Sequence, residues 1–72
     1  MKKEQLRDIL DAGNEISWRY EGDNYSLLKE DNGSFTLTRN GIIYSYKTLE
    51  DIFSAGVDVE KMCANNPTVF TF

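Results

Sequence analysis

Histidine is absent from this chain, and with it go the commonest acid–base side chain and the commonest metal ligand. A serine or cysteine nucleophile paired with imidazole is therefore excluded, as is a zinc site of mixed thiolate and imidazole ligands. Cysteine occurs once, at Cys63, so no internal disulfide can form and a reducing compartment fits. Its helical spacing with Val59 and Met62 reads as a small buried hydrophobe, since a reactive thiol needs a base or a cationic neighbourhood and only Lys61 is close. Proline also occurs once, at Pro67. The glycines are isolated and match neither a Walker loop nor a dinucleotide fingerprint. No apolar run is long enough to span a bilayer. Positive charge is scarce: eight Lys and Arg against twelve Asp and Glu give a net charge of -4, which argues against general attraction to nucleic-acid backbones or anionic membranes. Met1-Lys-Lys resembles the start of a signal peptide, but Glu4, Arg7 and Asp8 stand where its apolar region would be. These absences describe a cytoplasmic protein of one domain, 1–72, near the lower size at which a lone hydrophobic core suffices.

What the chain does have is a central meander. Glu15–Glu21, Asn24–Glu30, Ser34–Arg39 and Ile42–Lys47 each alternate apolar and polar residues with β-branched and aromatic enrichment, the pattern of half-buried strands. Gly22-Asp23, Asn32-Gly33 and Asn40-Gly41 separate them and supply residues that tolerate positive φ in tight hairpins. Strands joined so closely are antiparallel neighbours. A two-residue loop at Gly22-Asp23 sets Tyr20 opposite Tyr25 and Trp18 opposite Leu27. A similar loop at Asn40-Gly41 sets Leu37 opposite Tyr44 and Phe35 opposite Tyr46. The middle turn admits two registers. Reading it as a three-residue loop, Asp31-Asn32-Gly33, with a left-handed Gly33 in a bulge, brings Leu27 opposite Leu37 and keeps one continuous apolar face. That face carries Ile16, Trp18, Tyr20, Tyr25, Leu27, Phe35, Leu37, Ile42, Tyr44 and Tyr46. The other carries Ser17, Arg19, Ser26, Thr36, Thr38, Ser45 and Lys47, with Leu28 and Ile43 as apolar exceptions. A slip of one residue would exchange the two sets, so the register is firm.

The flanks supply the cover. Lys3 to Ala12 reads as a helix with Leu6, Ile9 and Leu10 in one stripe and Gly13 as its stop. Lys2 and Lys3 oppose the helix dipole, which predicts a frayed first turn. Thr48 is placed to cap a second helix bearing Leu49, Ile52 and Phe53, with Glu50 and Asp51 in its first turn. Gly56 breaks the pattern, and Asp58 caps a last short helix to about Ala64, ended by Asn65-Asn66-Pro67. The tail Thr68–Phe72 is apolar and β-prone, so it is expected to join a sheet edge, pack on the helices or meet a partner. The fold class is therefore α+β: a four-stranded antiparallel meander, with an optional fifth strand from the tail. The amino-terminal helix and one or two carboxy-terminal helices pack on one face.

No residue pattern points to catalysis, and neither cofactor nor metal is expected. Glu30-Asp31-Asn32-Gly33 lacks the alternating ligands and closing glutamate of a calcium loop and reads as a turn. Glu50/Asp51 and Asp58/Glu60 are acids at helix starts, where the dipole favours them. The tyrosines Tyr20, Tyr25, Tyr44 and Tyr46 offer hydroxyls to rim a pocket, against the simpler reading of rings packed in an amphipathic core. Arg19, Lys47 and Arg39 lie near the Ser/Thr-rich face, which makes single-stranded nucleic acid an alternative partner, though the aromatics needed for base stacking lie on the other face. Protein binding fits better. Leu28 and Ile43 interrupt the polar face, the meander leaves an edge exposed, and Val69, Phe70 and Phe72 need a surface. A homodimer through edge, tail or open face would also support a marginal core.

In build alone, short, acidic and helix–meander–helix, the chain resembles the small accessory proteins of phages and mobile elements. Some of these, including anti-CRISPR inhibitors, occupy a surface on a host protein. The resemblance implies an inhibitor or adaptor; separately, the acids Glu4, Asp8 and Asp11 on the first helix and Glu50 and Asp51 on the second offer a surface to a basic partner, against the simpler reading of solvated helix faces. The resemblance carries no motif and assigns no residue.

Overall fold

The structure is a computed structural model and describes residues 1–64 and 67–71. Its elements in chain order are α1 (Lys3–Asp11), β1 (Glu15–Tyr20), β2 (Asp23–Lys29), β3 (Phe35–Arg39) and β4 (Ile42–Tyr46), then α2 (Leu49–Ser54), α3 (Val59–Met62) and β5 (Thr68–Phe70). The five strands form one sheet in the order β4-β3-β2-β1-β5. The meander accounts for four of them. The chain then leaves the β4 edge, crosses the helical face through α2 and α3, and returns as β5 antiparallel to β1, with Ile16 opposite Val69. The expected helix stop at Asn65-Asn66 and the tail residue Phe72 lie outside the described residues.

Two of the three hairpins take the expected register. Leu27 faces Leu37 across β2 and β3. Leu37 faces Tyr44 and Phe35 faces Tyr46 across β3 and β4. The middle turn closes through Gly33 N–H donating to the Glu30 carbonyl at 2.9 Å. Gly33 itself has φ 89°, the left-handed conformation that a glycine adopts without steric cost. The first hairpin differs. Its loop is Glu21-Gly22, so Trp18 faces Tyr25 and Tyr20 faces Asp23. Glu21 adopts φ 49°, a mildly strained choice for a residue with a Cβ. In exchange the Trp18 and Tyr25 rings stack, with centroids 5.4 Å apart and planes within 4°, worth ~0.5–1.5 kcal/mol beyond burial. The shift is by two residues, so every side chain keeps its face.

All three helices lie on the aromatic face. The core joins Leu6 and Leu10 of α1, Leu49 and Ile52 of α2 and Val59 of α3, with Cys63 just beyond it, to Ile16, Trp18, Tyr25, Leu27, Phe35 and Leu37 of the sheet. A nine-residue helix is marginal alone. The two fully buried leucines of α1, at ~2 kcal/mol each, hold it in place. Its amino terminus does not depend on its own lysines. The Lys3 N–H donates to Glu60 Oε2 of α3 at 3.0 Å, bringing a carboxylate to the positive end of the dipole. The Lys2 N–H is met by Gln5 Oε1, so the frayed first turn expected from sequence is stabilised from a distance. Thr48 and Asp58 cap α2 and α3 as their positions imply, accepting from the Asp51 and Lys61 N–H groups.

Cys63 is buried, and burial pushes its thiol from an ordinary 9.0 up to about 11. The fold disfavours the thiolate, so this group's share of stability is whole below pH 9 and is lost as pH rises from 9 toward 11. Urea midpoints measured at pH 8 and pH 10.5 should therefore fall further for the wild type than for Cys63→Ala. Parallel pH dependence in the two would show that the thiol is accessible to water.

Candidate interaction surface

β4 is an edge strand with the sequence Ile42-Ile-Tyr-Ser-Tyr46 and no charge within it. Two backbone bonds settle which way its amides point. The Glu30 N–H donates to the Ser34 carbonyl, and the Asn40 N–H donates to the Asn24 carbonyl. The even-numbered residues of β3 thus bond to β2, and the odd-numbered ones bond to β4. Their partners Ile42, Tyr44 and Tyr46 face inward, and the N–H and C=O groups of Ile43 and Ser45 point out from the sheet. These four groups are a free template for another strand.

The side chains around that template are apolar on both faces. Ile43 is 70% exposed on the open face, while Ile42 and Tyr44 are 59% and 40% exposed on the helical face. The expectation that the helices cover Ile42 and Tyr44 is therefore corrected. The three helices are nine, six and four residues long. α1 packs over β1 and β2, α3 over β1, and α2 against β4, where Tyr46 joins the core while Ile42 and Tyr44 stay exposed. The signal was present in the sequence as a break in alternation: Ile42, Ile43 and Tyr44 are consecutive, with no lysine, proline or bulge to guard the edge.

Beside this margin lies a depression of about 180 Å³, lined by Tyr25, Leu37, Arg39, Tyr44, Tyr46, Ala55 and Val57. It gathers three of the four tyrosines on the helical side, at a volume below the ~300 Å³ typical of small-molecule sites. Arg39 belongs to this side and not to the polar face. It sits 5.6 Å from the Tyr25 ring centroid and donates to Asp23 Oδ2 through Nη2 at 2.6 Å and Nε at 3.2 Å. The Asn40 amide and the Arg39 guanidinium together hold the Asp23 carboxyl below its usual range, so this cluster keeps its charge into mildly acid solution.

The other candidate residues separate. Leu28 is half-buried on the open face opposite Thr36, and Ile43 stands opposite Thr38 on the same face. Arg19 is the penultimate residue of β1 at one end of the sheet and Lys47 follows β4 at the other, with two strands between them. They do not form one patch. Val69 and Phe70 are 39% and 46% exposed on the opposite edge strand, which offers only a three-residue margin. Of the acids proposed to meet a basic partner, Asp11 is paired with Lys29 at 2.8 Å and Glu50 with Arg7. Among the described residues no group of three or more His, Cys, Asp or Glu side chains is placed to hold a metal ion, and no helix is long and apolar enough to cross a membrane.

Compared with protein-family models, curated proteins and solved structures, the chain matches none.

Proposed function

We propose that this protein is a non-catalytic interaction module whose working surface is the β4 edge, engaged by strand addition. The observation that carries the reading is the coincidence of outward Ile43 and Ser45 backbone groups with bare Ile42, Ile43 and Tyr44 on both faces. Backbone pairing supplies affinity in such complexes, and alternate side chains supply selectivity. Here one set would meet Ile43 above the sheet and the other would meet the tyrosine-lined depression below it. A role as inhibitor or adaptor, of the sort small mobile-element proteins perform, follows if the strand belongs to a host protein.

The test is amide exchange. In the protein diluted until it is monomeric, the Ile43 and Ser45 N–H groups should exchange quickly, while Tyr44 exchanges slowly because it bonds to Leu37. A partner retrieved from a lysate of the source cells should slow Ile43 and Ser45 several-fold. It should be lost on Ile43→Lys and retained on Arg19→Glu. A partner that leaves these two amides unprotected would place the working surface elsewhere.

A further inference from the structure

We propose that the β4 edge accepts a second copy of this chain, pairing antiparallel about a twofold axis at Tyr44 to make one continuous sheet. The inference deepens the reading above by naming one occupant. It rests on a phase relation. In an antiparallel pair centred on Tyr44, each Ile43 falls opposite Ser45 of the other copy. Those are the two residues whose backbone groups point outward, so four N–H···O=C bonds form and no outward group of either residue is left over.

The side chains agree with that register. On the helical face Ile42 meets Tyr46 of the other copy at each end of the contact, an aliphatic–aromatic pair of the sort that stabilises sheets. The two Tyr44 residues form the central non-hydrogen-bonded pair, where Cα atoms approach to ~4.5 Å. On the open face Ile43 meets Ser45. Strand β4 carries no charge, and the nearest cations, Arg39 and Lys47, fall opposite no like charge, because Lys47 comes to lie across from Gly41. Two copies of net charge -4 can therefore meet without facing ions at the seam. The β5 edge has no such match, since it is three residues long and only Val69 points outward in the same alternation.

One five-residue edge and three exposed side chains amount to a few hundred Å² per copy, below the ~800 Å² per partner of a standard stable interface. The dimer is accordingly a weak one. Sedimentation of the full chain should show a weight-average mass rising from 8.3 kDa toward twice that value between roughly 10 µM and 1 mM, as expected of a weak association. Ile43→Lys and Ser45→Pro should both stay monomeric with unchanged far-UV dichroism. Position 43 is exposed, and a position whose N–H points out from an edge strand tolerates proline. In a Cys63→Ala background, Tyr44→Cys should cross-link to itself under mild oxidation, whereas Ile43→Cys alone should not, because its counterpart is Ser45. A wild type that remains monomeric at 1 mM overturns the proposal, as does self-cross-linking at Ile43→Cys in preference to Tyr44→Cys. If the chain stays monomeric while a different protein protects the Ile43 and Ser45 amides, strand addition stands and the second copy falls.

Discussion

Leu27→Ala should lower the unfolding free energy by about 3 kcal/mol, whereas Leu28→Ala, one residue further on, should cost under about 1 kcal/mol. Leu27 is fully buried and sits on β2, two strands in from the β4 edge, with Leu37 opposite on one side and Ile16 on the other. Its neighbours belong to paired backbone and have little freedom to collapse, so the lost methyls leave a cavity as well as a transfer cost. Leu28 points to the face that no helix covers. A domain of this size has ~3–5 kcal/mol of stability to lose, so Leu27→Ala should retain only roughly 0–2 kcal/mol at 25 °C. Urea titration followed by Trp18 fluorescence measures both variants. A smaller midpoint with unchanged slope marks the loss as stability and not a change in the unfolded state. A reversed ranking would mean that β2 is slipped by one residue and that the helices cover the other face.

That contrast also shows what the sequence makes legible. Period-two alternation names the buried face without any knowledge of partners, because a slip of one residue would bury Thr36, Thr38 and Ser45 and expose six core residues. Gly33 and Asn40-Gly41 announce their turns through the positive φ they can adopt. The first turn was less legible, since Glu21 is no ordinary left-handed residue. It takes that conformation because the resulting register stacks Trp18 on Tyr25 and brings Arg39 into the same cross-strand row. Local turn preference pointed to Gly22-Asp23, and a tertiary contact between rings seven residues apart outweighed it. The candidate surface was half legible. Ile43 stood out as an apolar residue on a polar face. Ile42 and Tyr44 showed only as part of an apolar run of three, because their parity matches the buried face and a one-dimensional pattern does not report which part of that face the helices cover. The side taken by Arg39 is legible by parity, which it shares with Phe35 and Leu37; the ring of Tyr25 and the carboxylate of Asp23 are what hold its guanidinium on the helical side.

Trp18→Ala should be as damaging as any single change in the sheet, at about 4 kcal/mol, and Trp18→Phe should recover more than half of that loss. Trp18 is 6% exposed and stacked against Tyr25. Truncation to alanine therefore removes a large buried surface and strips one face of Tyr25, whose other strand neighbour in the row is Arg39. Phenylalanine keeps a ring in the stack. It also removes the indole N–H, which has no hydrogen-bond partner among the described residues. A buried donor without an acceptor costs ~1–3 kcal/mol, so deleting it offsets part of the volume that phenylalanine lacks. Denaturation followed by far-UV dichroism separates the two substitutions, since fluorescence is lost in both. If Trp18→Phe proves as costly as Trp18→Ala, a ring stacked on Tyr25 contributes nothing by itself and the loss belongs to the indole as a whole. If it proves nearly neutral, the ring stack carries the contribution of Trp18, and the nitrogen is an expense the fold tolerates at the end of its aromatic row.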